Sequence, residues 1–248
     1  MIPLPFAQAA VPRGIGLAEW LVDVDTWLGR DGILSSGLDT VTLCAAVMGT
    51  GMLIAVPSAA LLAHSRRGEL TATALVTLGR AVPTFAVAAL LVPVALRRGW
   101  GFEPWPIFIA LLLLALPPLY LNTYTAIRHV EGGVVDAARA MGIGERTLLL
   151  RVELALALSV IFTGIRVAAV QVVATEPIRA FLGGDGLGRY VRDGLGQNND
   201  TLIIGGALLI AALAATTSVA VSVVERLVVP HGVRRLKQRT AARRGSVG

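Results

Sequence analysis

Charged residues are scarce in this chain of 248 residues, at 15%, and aromatic side chains are scarcer, at 5%. Lysine occurs once, as Lys237, and cysteine once, as Cys44. Each scarcity removes a class of function. The lone lysine has no G-x-x-x-x-G ahead of it, so the chain carries no P-loop and hydrolyses no ATP by that route. One cysteine excludes an internal disulfide, and Cys44 reads as a small packing residue. The three histidines, His64, His129 and His231, stand far apart without H-E-x-x-H or Cys/His ligand spacing, so no metal and no cofactor is expected. Intramembrane proteolysis needs a serine with a histidine, or paired aspartates, inside apolar runs, and these runs offer neither. The basic tail has no aromatic residue for base stacking, which argues against nucleic acid. No enzymatic role is expected.

What the chain does have is apolar length. It is 55% hydrophobic, and residues 40–63, 104–127 and 201–224 are uncharged. At ~1.5 Å per residue, about 20 residues cross the ~30 Å hydrocarbon layer, so each of these runs spans. Two more runs carry one arginine each, Arg80 within 70–96 and Arg166 within 154–175. The runs are continuous and rich in Ala and Leu rather than alternating, which selects helices over a barrel. The expected fold is all-α and integral to the membrane, with five spans at about 38–63, 70–96, 104–127, 152–175 and 201–229. Residues 1–37 form an external segment, 128–151 a hairpin on the opposite side, and 230–248 a basic tail.

The link 64–70, the hairpin and the chain from Arg226 onward hold 13 of the 22 basic residues, against seven on the other side. The positive-inside rule then places the C-terminus and the hairpin in the cytoplasm and the N-terminus outside, despite Arg97 and Arg98. Leu17, Trp20, Leu21, Val24 and Leu28 recur at helical spacing, which predicts a short amphipathic helix lying on membrane lipids or packed against the spans. The segment Gly183-Gly184-Asp185-Gly186-Leu187-Gly188 follows no strand, so it reads as a tight re-entrant turn rather than a nucleotide loop.

Within the hairpin, residues 134–141 predict one short helix with Asp136 in its first turn. Gly142 is its left-handed stop, and residues 145–158 form a second helix that enters the membrane. Ala137 and Ala138 leave a low-profile surface for a partner's groove. The spacing resembles the E-A-A-x3-G-x9-I-x-L-P pattern of the membrane subunits of ATP-binding-cassette importers, with Asp136-Ala137-Ala138, Gly142, Val152, Leu154 and Ala155 at its positions. Asp stands for Glu, Val for Ile, and Ala for the final Pro.

Further segments resemble the osmoprotectant branch of that family, the permeases for glycine betaine, choline and carnitine. They are Ala55-Val56-Pro57, Ala81-Val82-Pro83-Thr84, Leu116-Pro117-Pro118 and Asn122-Thr123-Tyr124-Thr125-Ala126-Ile127. Arg151 to Leu158, Gly164-Ile165-Arg166 and Ala180 to Gly188 complete the set. The resemblance implies the type I importer permease fold. It also implies docking to ABC ATPase subunits through Asp136, Ala137, Ala138, Met141, Gly142, Ile143 and Arg146. The further partners it implies are an extracytoplasmic substrate-binding protein and a second permease subunit, identical or paralogous, in a bacterial cell membrane.

Candidate pathway residues are Pro83, Thr84, Arg166, Gln171 and Thr175. A charge inside a span costs ~2.5–3.5 kcal/mol on insertion scales, so Arg166 points inward, either to the conduction path or to backbone carbonyls. Gln171 and Thr175 share a helix face. Pro57, Pro83 and Pro117-Pro118 are expected to break or kink their spans. Glu176, Pro177 and Arg179 depart from the branch's pattern and read as a solvated loop at the outer membrane edge. Import of another small solute, such as methionine or a sulfonate, and a non-transporting scaffold or sensor are the competing readings.

Overall fold

The computed structural model describes residues 16–29, 32–70, 74, 83–100 and 104–229. Every regular element among them is helical. In chain order these are α1 (Leu17–Val22), α2 (Val24–Leu28), α3 (Ile33–His64), α4 (Thr84–Arg97), α5 (Trp105–Arg128), α6 (Gly132–Ala140), α7 (Glu145–Thr147), α8 (Leu154–Thr175), α9 (Gly188–Gln197) and α10 (Asp200–Val228). A π-helical turn, Leu148–Glu153, joins α7 to α8, and a 3-10 helix, Glu176–Leu182, extends α8.

Four helical stretches among the described residues are long and apolar enough to cross a membrane, and they contain α3, α5, α8 and α10. The first begins before residue 38: α3 starts at Ile33, because Asp39 lies on its exposed side and a charge facing outward does not interrupt the backbone ladder. At 32 residues it is ~48 Å long, more than the hydrocarbon layer needs. The span expected over 70–96 is seen only in part. Pro83 takes an extended conformation and caps α4, whose 14 residues reach ~21 Å. Arg80, Ala81 and Val82 lie outside the described residues, as does the tail 230–248.

Pro83 stands outside α4 at its start, as expected of a break, but the other prolines do not interrupt their helices. Pro57 lies inside α3, and Pro117 and Pro118 lie inside α5, both continuous helices. Side chains meet backbone oxygens nearby: Ser58 Oγ donates to the Ile54 carbonyl at 2.6 Å and Asn122 Nδ2 to the Pro118 carbonyl at 2.8 Å.

The principal core lies where α3, α5 and α8 pack together, around Val47, Ala59, Leu111, Ala115, Leu119, Ala168 and Val172. Small residues set the spacing. A Cβ at Gly164 on α8 would stand 2.5 Å from Asn122 Cβ and 2.9 Å from the Pro118 carbonyl on α5. The predicted amphipathic helix is two helices, because Asp23 ends α1 and caps α2 by accepting from the Asp25 N–H. Trp20 is buried at 2% exposure against α10, its ring over Gly205 and edge-on to Tyr190 with centroids 5.5 Å apart. Val24 and Leu28, expected on the same face as Trp20, are exposed instead.

Candidate functional site

The hairpin is built much as its sequence suggests, with two differences. Helix α6 begins at Gly132, so Asp136 stands in its second turn and loses the predicted place beside the helix N-terminus. It sits 3.9 Å from Arg139 Nη1 instead. Gly142 stops the helix at φ +79°, with its N–H on the Arg139 carbonyl at 2.9 Å and the Ile143 N–H on the Ala138 carbonyl at 3.2 Å. The chain then reverses into α7 and the π-helical turn.

The two alanines divide. Ala137 is exposed, whereas Ala138 is buried with Val135 against Leu148 of the return limb, flanked by Ile143 and Val152. Ala138 therefore packs the hairpin on itself and offers no docking surface, since a helix two turns long must bury one stripe of its own. Asp136, Ala137, Met141, Gly142 and Arg146 form the exposed side, and Met141 is 74% exposed. An exposed thioether of this kind suits a groove that must repack.

Charges tie the limbs together. Arg139 Nε donates to Glu145 Oε1 at 2.8 Å and Nη2 to Oε2 at 3.1 Å. This bidentate contact holds the Glu145 carboxyl below its ordinary value and raises the Arg139 guanidinium. A lowered carboxyl contributes fully above its free titration range and loses that contribution as pH falls through the lowered one, so the clasp is intact at neutral pH. Nothing stands within 4 Å of a Cβ placed on Gly142. Gly142→Ala should therefore cost only the left-handed backbone, about 1–2 kcal/mol. Hydrogen exchange should quicken in residues 132–147 without a change in the melting of the whole protein.

The candidate pathway residues are dispersed. Pro83 and Thr84 open α4, and Arg166, Gln171 and Thr175 lie along α8. No hydrogen bond or ion pair described joins the two groups. Gln171 is exposed on the chain's surface beside Val167 and Ala174, while Thr175 is half-buried. Arg166 bonds no carbonyl among the described residues: its Nη2 pairs with Glu225 of α10, and its side chain stays 34% exposed. That glutamate stands one residue beyond the uncharged run 201–224, and an acid at the end of one span opposite an arginine within another was the signal for the pair. An open groove lined by Ala174, Pro177, Ile178, Phe181, Ala207 and Ile210 is apolar and offers a solute no polar anchor.

The largest correction concerns Glu176 and Arg179. They do not form a solvated loop; Glu176 is wholly buried and Arg179 is 6% exposed. Arg179 Nε lies 3.1 Å from Glu176 Oε1 and donates to the Asp185 carbonyl at 2.9 Å. Thr40 of α3 donates to Glu176 Oε2 at 3.1 Å and accepts the Leu187 N–H at 3.0 Å. The glycine turn wraps this cluster. Gly183 and Gly186 take φ +89° and +97°, and a Cβ at Gly186 would meet Thr40, Arg179 and Glu176 within 3.0 Å. The turn is tight as expected, but it leads into a further helix, α9, that the sequence reading did not place.

A bundle of long apolar helices that carries an exposed two-limbed hairpin between α5 and α8 defines a multi-pass membrane protein. The chain belongs to the binding-protein-dependent transport system inner membrane component family, whose model matches residues 49–232. Among curated proteins it is 32% identical over 199 residues to the choline transport system permease protein OpuBB of Bacillus subtilis, covering 80% of this chain and 88% of that one. It is 30% identical to the carnitine transport permease protein OpuCB of Listeria monocytogenes, with the same coverage. The osmoprotectant import permease protein OsmW of Salmonella typhimurium is 30% identical over 77% of this chain and 89% of its own. Among solved structures, an inward-facing form of the MetNI methionine ABC transporter superposes with a TM-score of 0.69 at 18% identity, over 80% of this chain and 96% of that chain. At that identity the likeness is one of fold, and the fold is that of a type I ABC importer permease.

Proposed function

We propose that this chain is the transmembrane subunit of an ABC importer for an osmoprotectant such as glycine betaine, choline or carnitine. The observation that carries the solute class is the agreement among relatives: OpuBB, OpuCB and OsmW are named for choline, carnitine and osmoprotectant transport and align over most of their length. The hairpin supplies the coupling. Asp136, Ala137, Met141, Gly142 and Arg146 face a cytoplasmic ABC ATPase, with Ala138 and Ile143 setting the shape behind them. The excess of arginine on the hairpin's side supports a cytoplasmic hairpin and C-terminus and an external N-terminus.

A second permease copy or paralogue completes the path, and an external binding protein delivers the solute. Gln171 on the exposed side of α8 is the polar group placed to line that path, with Thr175 one turn further on and Thr84 at the start of α4. Closure of the ATPases shifts the hairpins as rigid levers and biases the spans between inward-open and outward-open states. The test is uptake of labelled glycine betaine, choline and carnitine by cells expressing the complete transporter, with and without osmotic upshift. Saturable, ATP-dependent uptake of at least one is expected. Uptake of none, alongside transport of an unrelated solute, would overturn the osmoprotectant assignment.

A further inference from the structure

His64 is the last residue of α3, and its ring lies between two carboxylates of the hairpin's return limb. Nδ1 is 2.6 Å from Glu153 Oε2 and Nε2 is 3.0 Å from Glu145 Oε2. A neutral imidazole has one N–H and one lone pair, so it satisfies one carboxylate and sets its lone pair against the other. Only the imidazolium donates at both ends. Glu153 is 5% exposed, and the ring stands at the C-terminal end of α3.

The two glutamates belong to different parts of the limb. Glu145 opens α7 and holds Arg139 of α6 on its other side, while Glu153 ends the π-helical turn just before α8. A chain of charges, Arg139–Glu145–His64–Glu153, therefore runs from the exposed hairpin helix to the first span and back to the root of the fourth. The covalent route from hairpin to α8 passes through a π-helical turn, a departure from the α-helical ladder that often marks functional positions. The ionic route bypasses that turn and reaches a different span, α3.

We propose that His64 is a positioning residue for energy coupling, a cationic bridge through which displacement of the hairpin moves α3 together with α8. The role rests on the reading of the hairpin as the ATPase contact. Without the bridge, the hairpin would still be attached to α8 but would no longer carry α3 with it. Solute movement per ATP would then fall while ATP hydrolysis continued.

The test uses the complete transporter, with its ATPase and binding protein, in proteoliposomes. His64→Gln removes the cation at similar size, and His64→Arg keeps a cation able to donate to two carboxylates. His64→Gln/Glu153→Gln removes the buried charge that the single variant strands. His64→Gln should lower uptake per ATP about fivefold, in the range of measured coupling changes, and His64→Arg should restore most of it. The double variant should recover thermal stability without recovering coupling, which separates the bridge from simple support of the fold. Separately, spin labels at Arg66 and Arg146, both exposed, should give one narrow distance in the isolated permease and a broadened one in His64→Gln. Unchanged coupling in His64→Gln, or His64→Arg as defective as His64→Gln at normal stability, would overturn the proposal. A wild-type transporter whose ATPase ignores the binding protein would sink the coupling reading and with it this role, while the label distances would still report whether the bridge exists.

Discussion

Arg179→Met should destabilise the protein by about 3–5 kcal/mol, because it removes the cation beside a fully buried Glu176 carboxylate. Glu176 is wholly buried, and its described contacts are Arg179 and Thr40, the latter bound in turn to the Leu187 N–H. Removing the guanidinium also frees the Asp185 carbonyl and loosens the glycine turn. The comparison that decides the cause is the double variant Glu176→Gln/Arg179→Met. An amide still accepts from Thr40 and carries no charge, so the double variant should melt well above the single one in detergent. If both melt alike, the pair acts through shape rather than charge. The cost should appear first at the end of the bundle where α8 passes into the 3-10 helix, since Arg192 Nη1 fixes the same segment through the Ala180 and Gly184 carbonyls at 2.9 and 3.2 Å.

Gly164→Leu should act at the middle of the bundle with a comparable effect. Even a methyl group there would press on Asn122 Cβ at 2.5 Å and on the Pro118 carbonyl, which is backbone and cannot swing aside. Overpacking of this kind costs about 1–3 kcal/mol for added methylenes, and leucine adds more atoms than the gap can absorb. Helices α5 and α8 should separate, the Asn122 bond to the Pro118 carbonyl should fail, and Arg166, two residues along, should shift relative to Glu225. Gly164→Ala should be milder and measurable as a lower melting temperature, with cross-linking between α5 and α8 reduced in proportion. Normal melting of Gly164→Leu would mean that these helices do not approach as described.

Much of the fold was legible because apolar length is a one-dimensional signal. The run 201–224 sits inside α10, the run 104–127 begins at the residue that caps α5, and Gly142 is recognisable as a left-handed stop from its place after an alanine-rich helix. What escaped depended on pairing across the chain. Glu176 and Arg179 look solvated when each is weighed as a lone charge beside a proline, and they become interior only once Thr40, 136 residues earlier, is brought against them. Arg166 points toward the conduction path or backbone carbonyls when read from sequence, because Glu225 lies one position beyond the uncharged run 201–224. Ala138 was assigned to the surface because two adjacent alanines look alike in sequence, although the helical turn sends one outward and the other onto Leu148. Pro83 does stand outside its helix, whereas Pro57, Pro117 and Pro118 are carried within continuous ones, a distinction that their own positions do not announce.

The contact of Trp20 with Gly205 joins the first described helix to the last. A chain made from its N-terminus must therefore carry that indole past the ribosome and through the insertion machinery long before its seat exists. Only when α10 has entered the bilayer does Trp20 find the flat glycine surface on which it rests. This contact thus closes late in synthesis, and a chain truncated before residue 205 would lack the seat on which Trp20 rests.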